Sequence, residues 1–288
     1  MTFLRTPETA TIVLTGADRS RWLNGMLTAD LTKLPRGGVT FGLIVGKTGK
    51  IRAEVYVADT ADALLLAVPA TLADPIAAEL DKHLVMDDCE IVVSREHAWS
   101  FTYCDAEAPT LASAAREGGA LSAGWVRRGD AHCLVVAASA ATAEAVSRAL
   151  IDGGAERPSE QAWEAFRVAH FVAERGPDFD DHYPQEAALE VDGVSFQKGC
   201  YLGQEAVFML QHRGHVKRRL VQVDLAGGAA APGEKVARDG VEVGAVTSAG
   251  GGFALAMVKY KYAFPGSALD VGSTQGVVTP LLGLPPEE

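Results

Sequence analysis

The sequence predicts an α+β protein that ends in a β-barrel. Three observations point to it: β-rich runs joined by turn chemistry between about residues 40 and 105, helical apolar periodicity interleaved with them, and a change after Arg218 to short alternating strands separated by Ala-Gly-rich turns. The 288 residues are 48% hydrophobic and 22% charged, with 30 Gly and 13 Pro. That composition is ordinary for a globular chain and excludes collagen, coiled coil and wholesale disorder.

Thr11 to Leu14 reads as a strand, and Thr15-Gly16-Ala17-Asp18 opens a helix bearing Trp22, Leu23, Met26 and Leu27 on one face. Thr40 to Val45 and Ile51 to Ala58 flank Gly46-Lys47-Thr48-Gly49-Lys50, which is turn chemistry for a hairpin, and Ala63 to Val68 supplies a third strand. Leu72, Ile76, Leu80 and Leu84 recur at helical spacing around Asp74-Pro75, where proline suits a first turn. Cys89 to Val93 and Trp99 to Tyr103 return to strand character, so about residues 40–105 are expected to form one antiparallel lobe with a helix. Leu134 to Ala137 reads as a strand, and Ala141 to Ile151 as a helix stopped by Gly153-Gly154. Ser159 caps a helix carrying Ala162, Trp163, Phe166, Ala169 and His170, and Gly176-Pro177 terminates the segment beyond it. Leu220 to Leu225, Glu242 to Thr247, Gly252 to Val258 and Ala268 to Val271 are the barrel strands. The expected division is a body of two interleaved lobes over residues 1–210 and a barrel over 211–288.

With 26 Lys and Arg against 37 Asp and Glu, the formal charge is -11, which argues against nucleic acid or an anionic membrane as a partner. Apolar runs such as Ala63 to Ala73 reach about half of the ~20 residues that span a bilayer. Met1 to Arg5 shows no signal or transit pattern, and the expectation is a cytoplasmic protein without a membrane segment. Cys89, Cys104, Cys133 and Cys200 show no CxxC pair, fitting neither a disulfide framework nor a zinc ribbon. The first three sit at strand-like runs, where a thiol serves as a small hydrophobe.

Gly46-Lys47-Thr48 ends like a phosphate loop, but Phe41 occupies the first glycine position and a strand comes after it, so a hairpin is the better reading. Gly250-Gly251-Gly252 likewise reads as a turn between barrel strands. His212 and His215 have metal-like spacing, yet Arg213, Lys217, Arg218 and Arg219 make the stretch basic, suited to an anion or to solvent; no metal is expected. Asp178, Asp180, Asp181 and His182 read by default as a solvated acidic loop, and Trp163 on its apolar stripe as core. The densest polar signal is Gln197-Lys198-Gly199-Cys200-Tyr201-Leu202-Gly203-Gln204-Glu205. A thiol beside a lysine on a glycine-softened turn has the setting of a reactive cysteine; a partly buried structural turn is the equal alternative.

Lys198 to Glu205, Lys-Gly-Cys-Tyr-Leu-Gly-Gln-Glu, resembles the signature of the YgfZ-type folate-binding proteins of iron-sulfur cluster assembly and repair, relatives of the glycine-cleavage T-protein, an aminomethyltransferase. Leu23 to Asp30 resembles that family's first helix, Gly46 to Val57 its hairpin, Pro184 to Leu189 its Pro-x-Glu-Ala loop, and Arg213-Gly214 with Lys217 to Leu220 the entry to its barrel. The resemblance implies a three-lobed T-protein-like fold holding tetrahydrofolate or a derivative, with iron-sulfur client or assembly proteins as partners. It implies Cys200 as the reactive thiol, and Trp163, Arg167, Glu186, Lys198, Tyr201, Gln204, Glu205 and Arg213 as the folate-site residues. Three departures stand out. Ala53 and Glu54 replace the T-protein Asp pair, Ala169 replaces its pterin-binding glutamate, and Met209 stands where the YgfZ pattern has arginine. If the chain is an enzyme, the implied chemistry is folate-dependent one-carbon transfer.

Overall fold

The structure is a computed structural model and describes residues 1–280. Two compact units divide these residues, and the chain passes between them more than once. The first comprises Met1–Arg127, His132–Arg157 and Gly193–Gln204. Its elements, in chain order, are β1 (Thr2–Arg5), β2 (Thr9–Thr15), α1 (Arg19–Asn24), β3 (Val39–Val45), β4 (Ile51–Asp59), β5 (Leu64–Pro69), α2 (Ala73–Asp81), β6 (Glu90–Ser94), β7 (His97–Cys104), α3 (Pro109–Glu117), β8 (Ser122–Arg128), β9 (Ala131–Ser139) and α4 (Ala143–Asp152).

These strands make two sheets, of order β3-β4-β5-β2-β6 and β1-β7-β9-β8. The first is antiparallel throughout. The hairpin over Gly46 to Lys50 forms as its turn residues require, with Gly49 at φ +83° and β3 registered on β4. Residues 40–105 are not one lobe, however. The strand read at Trp99 to Tyr103 belongs to the second sheet, while the Thr11 to Leu14 strand lies inside the first, between β5 and β6. Neighbours along the chain are not obliged to pair, and β2 carries three core residues, Ala10, Ile12 and Leu14, that close the first sheet's apolar face with Leu23, Leu27 and Leu66. Elements β1, α3 and β8 carry weak signals: β1 has four residues, and the buried face of α3 is Leu111 with two alanines.

The second unit comprises Arg128–Ala131, Pro158–Asp192 and Glu205–Glu288, the last described to residue 280. It contains α5 (Glu160–Ala169), much of the short α6 (Glu190–Gly193) and α7 (Gln204–His212), and the barrel strands β10 (Arg218–Asp224), β11 (Lys235–Arg238), β12 (Val241–Gly250), β13 (Phe253–Lys259), β14 (Ala268–Val271) and β15 (Thr274–Val278). The strands close in the order β10-β13-β12-β11-β14-β15 around Val223, Val236, Ala256, Val258 and Val271. Gly251 and Gly252, both with positive φ, turn β12 into β13. Helix α5 starts at the Ser159 cap, whose hydroxyl accepts from the Ala162 amide, but stops at Ala169, well before Gly176-Pro177; Phe171 at φ +54° breaks it. Among the described residues no helix is long and apolar enough to cross a membrane.

Within the first unit the returning segment is fastened through Thr28. Its buried hydroxyl donates to Gly193 O at 2.5 Å and accepts from Leu43 N at 2.8 Å, while Thr28 O accepts from Ser195 N at 3.0 Å. Thr28→Val keeps the shape but strands a buried carbonyl and a buried amide, each worth about 1–3 kcal/mol. A urea melt of that variant is expected to show a loss of about 3 kcal/mol with an unchanged m-value.

Candidate functional site

In the first unit the Lys198 to Gly203 turn is pinned from several sides. Leu202 N donates to Gly25 O at 3.0 Å, and its side chain packs on the core of the five-stranded sheet. Gly203 sits at φ +79°, and a Cβ there would lie 2.3 Å from Gly46 O, so only glycine lets the turn press on the β3-β4 hairpin. The Lys198 ammonium donates to the carbonyls of Asn24, Leu27 and Ala29 at 2.6, 2.7 and 2.6 Å. An ammonium has three N–H groups, so Lys198 has none left for a folate carboxylate, contrary to the expectation from the family pattern. Burial pulls its pKa down to about 8, against the opposing pull of Asp30.

Tyr201 comes next, 7% exposed, with its ring 5.4 Å from the Lys198 ammonium and its hydroxyl without a hydrogen-bond partner. Burial pushes that phenol up to about 12. Cys200 lies between these two anchored residues and is itself exposed, whereas Cys104 and Cys133 are buried in strands and Cys89 is half-buried. Gln204 N donates to Tyr201 O and begins α7, on which Glu205 is exposed. The turn was legible; the helix behind it was not, because Gln204 to His212 buries only Val207.

In the second unit, Trp163 is 3% exposed, its indole N–H donates to Glu174 at 2.9 Å, and its ring stacks on Phe166 at 6.0 Å. Arg167, one turn on, commits every N–H of its guanidinium. Nε and Nη2 grip Glu164 at 2.7 and 2.8 Å, Nη1 meets Asp178 at 2.8 Å and Val172 O at 3.4 Å, and Nη2 also reaches Ser248 at 2.7 Å. Burial works against this cation, but Asp178, Glu174 and Glu164 outweigh it and raise its pKa. Arg167 therefore positions its neighbours and has no free donor for a ligand.

Asp178 corrects the reading of a solvated acidic loop. It is buried, and besides Arg167 it accepts from Glu174 N at 2.9 Å, Thr247 Oγ1 at 2.7 Å and Ser248 Oγ at 2.6 Å. Its side-chain partners lie 11, 69 and 70 residues away along the chain, so no local spacing could announce them. Glu186 accepts from Tyr183 N at 3.2 Å and caps its own turn. Arg213 is exposed, with its amide bonded to Met209 O. His212 and His215 pack on aromatic rings, Phe208 at 4.4 Å and Tyr260 at 4.8 Å.

The model of the "CAF17, C-terminal beta-barrel domain" family matches residues 217–281. A protein of Vibrio vulnificus strain YJ016 named tRNA-modifying protein YgfZ is 30% identical over 239 residues, covering 77% of this chain and 69% of the relative. The chain belongs to the YgfZ family. Another YgfZ-family protein, from Vibrio vulnificus strain CMCP6, is 30% identical over 74% of this chain and 66% of its own length. One from Escherichia coli O157:H7 is 26% identical over 76% and 71%. The match thus spans about two thirds of the length of these YgfZ relatives. Among solved structures, the glycine cleavage system aminomethyltransferase T of Bartonella henselae superposes with a TM-score of 0.77 at 19% identity, over 98% of this chain and 86% of that one. The fold is that of the T-protein, closed by a six-stranded barrel.

Two outcomes are expected of this YgfZ-family chain. Arg167→Met leaves Asp178 as an uncompensated buried carboxylate and should cost about 3–5 kcal/mol in a chemical melt. Lys198 titrates at about 8 when folded against 10.5 as an ordinary lysine, so between those values the unfolded chain holds more protons and the lysine's contribution to stability rises with pH. Urea midpoints of wild type and Lys198→Met, compared from pH 7.5 to 10.5, should therefore move in favour of wild type; a flat or falling difference would contradict the assignment.

Proposed function

We propose that this chain is a tetrahydrofolate-binding accessory protein that supports the assembly or repair of iron-sulfur clusters in client enzymes, with Cys200 as its reactive group. The observation that carries the reading is the Lys-Gly-Cys-Tyr-Leu-Gly-Gln-Glu turn, which anchors a half-buried Lys198 and a buried Tyr201 and leaves the thiol between them exposed. Membership of the YgfZ family and the T-protein fold support it.

The residues fit a reduced folate unequally. Tyr201 offers a buried hydroxyl still in want of a partner, and Arg213 an exposed guanidinium suited to a carboxylate. Trp163 supplies an indole whose orientation is fixed by Glu174, the residue expected to lie against the pterin. Gln204 and Glu205, at the start of α7, supply an amide and a carboxylate for its polar edge. Lys198 and Arg167 act through the groups they hold. When bound, tetrahydrofolate would supply a carrier for one-carbon units.

A one-carbon transferase is the weaker reading, because its candidate carboxylates are reduced to Glu54 and Glu186. Ala53 is buried in the apolar core of the first unit, Ala169 ends α5, and Glu186 is taken by its own turn. The relatives' name concerns tRNA, and a chain of formal charge -11 meets that role more readily through a client enzyme than by gripping RNA itself.

Tetrahydrofolate should quench the intrinsic tryptophan fluorescence saturably, with affinity at least tenfold weaker in Trp163→Phe and Arg213→Ala. Cys200→Ser should bind folate within twofold of wild type yet fail to restore iron-sulfur enzyme activity in a strain lacking the gene. Absence of a saturable response sinks the folate half, and full rescue by Cys200→Ser sinks the thiol half.

A further inference from the structure

One face of the second unit joins an apolar cavity to a patch of cations, and none of Trp163, Arg167, Lys198 or Cys200 belongs to it. We propose that this face docks an acidic segment of a partner protein, with one large apolar side chain of the segment seated in the cavity and its carboxylates on the cations.

The cations carry the first half of the argument. Residues 206–223 and 243–269 contain no Asp or Glu, in a chain whose formal charge is -11. The two stretches meet in the barrel, where Arg218 faces Lys259 across the β10-β13 pair and Tyr260 N donates to Lys217 O at 3.0 Å. Lys217, Arg218, Lys259 and Lys261 are all exposed. Among the described residues no salt bridge joins any of the four to a carboxylate. Lys259 donates to Glu242 O at 3.1 Å, and the Glu242 carboxylate itself is held by Lys235 at 2.8 Å. Like charges set directly opposite each other destabilise a strand pair, so the arrangement gains nothing for the barrel. Its complement is a run of carboxylates.

The cavity supplies the second half. It measures about 380 Å³, and its walls include Phe171, Leu210, Val216, Val221, Phe264 and Val278. Tyr260, set between Lys259 and Lys261, lines it as well, and it reaches the surface at the exposed Gln211, Gly214, His215 and Pro265. The inner polar groups are used within the protein. Arg219 is committed to Glu190 and to Gln185 O at 2.6 and 3.0 Å, Thr279 Oγ1 donates to Gln222 Oε1 at 2.7 Å, and Gln185 Oε1 and Glu190 Oε2 are shut off from solvent. A nucleobase seated here would give up water for apolar walls along its N–H and carbonyl edge, whereas a phenyl or aliphatic side chain has no such edge to lose. That favours a protein segment over an RNA. The net charge acts in the same direction, because a long polyanion meets the field of the whole chain, while a short acidic segment meets chiefly the cations within a Debye length of about 8–10 Å. A buried anchor gives such an interface most of its affinity, and the charged rim sets its register. All the named residues of the face belong to the second unit.

The test is fluorescence anisotropy of a dye-labelled synthetic peptide, three Glu, one Phe and three Glu, titrated with the full chain at about 50 mM salt, where exposed charges are weakly screened. Saturable binding is expected. Replacing the peptide's Phe by Ser should weaken it about tenfold through the loss of one buried ring, a comparison that needs no protein variant. Lys217→Glu with Arg218→Glu, and separately Leu210→Trp, which fills the cavity, should each weaken it by about tenfold or more, whereas Lys82→Glu with Arg148→Glu, the same change of charge at exposed sites of the first unit, should stay within about twofold. Thermal melts identify the folded variants, and Lys259→Gln with Lys261→Gln replaces the first pair if that pair fails to fold. No saturable binding, equal affinity for the Phe and Ser peptides, or equal loss in the first-unit variant overturns the proposal. A uridylate dodecamer that binds more tightly than the peptide, and is lost with the same cations, overturns it in favour of RNA. None of these results bears on tetrahydrofolate or on Cys200.

Discussion

A single ammonium group organises the part of the molecule that carries the thiol. The carbonyls of Asn24, Leu27 and Ala29 lie at the end of α1 and in the segment just beyond it, where backbone acceptors run out of amide partners. Lys198 supplies the three missing donors from one atom. Arginine could not replace it, because a planar fork spreads its N–H groups over several ångströms and cannot converge them on a point. The arrangement converts a residue that in sequence looks like an electrostatic activator of its neighbour into a clamp, and it ties the Cys200 turn to the first helix.

The second unit uses its buried arginine in the same manner. Arg167 joins Glu164, Asp178 and Ser248, and Glu174, which lies 3.6 Å from the guanidinium, takes the Trp163 indole. A buried ion pair of this kind contributes little net stability compared with apolar packing, but it fixes positions, since each partner is costly to leave alone. The consequence for recognition is that the two cations most prominent in the motif pattern both hold protein groups. Arg213, by contrast, is exposed.

Much of this was legible in the chain. Helix α5 announces itself through Ser159 and the spacing of Trp163 and Phe166, the hairpin through Gly46 to Lys50, and the barrel through its alternating strands. The illegible features share one physical cause: the partner is either a backbone carbonyl, which has no letter, or a residue far away along the chain. Lys198 bonds to three carbonyls about 170 positions earlier, and Asp178 to Ser248 across 70. The place of β2 inside the first sheet is of the same type, since strand order is set by which apolar faces close, and many orders share one hydrophobic pattern.

The departures from the T-protein pattern gain meaning once their surroundings are known. Ala53 is fully buried among Ile44, Val55 and Leu66, so a carboxylate at that position would need either a partner or a proton, and the apolar cluster supplies neither. The carbonyl of Ala169 is bonded by Gln222 Nε2 at 3.0 Å, as is that of Val168 at 2.6 Å, so the end of α5 is closed by a barrel side chain. Restoring an acidic residue at position 53 would therefore not by itself restore a working proton acceptor, because that position is apolar core. Within its own unit each feature is held in place: the Cys200 thiol stays exposed on an anchored turn, the Trp163 indole is oriented by Glu174, and the Ala53 position is closed in apolar core.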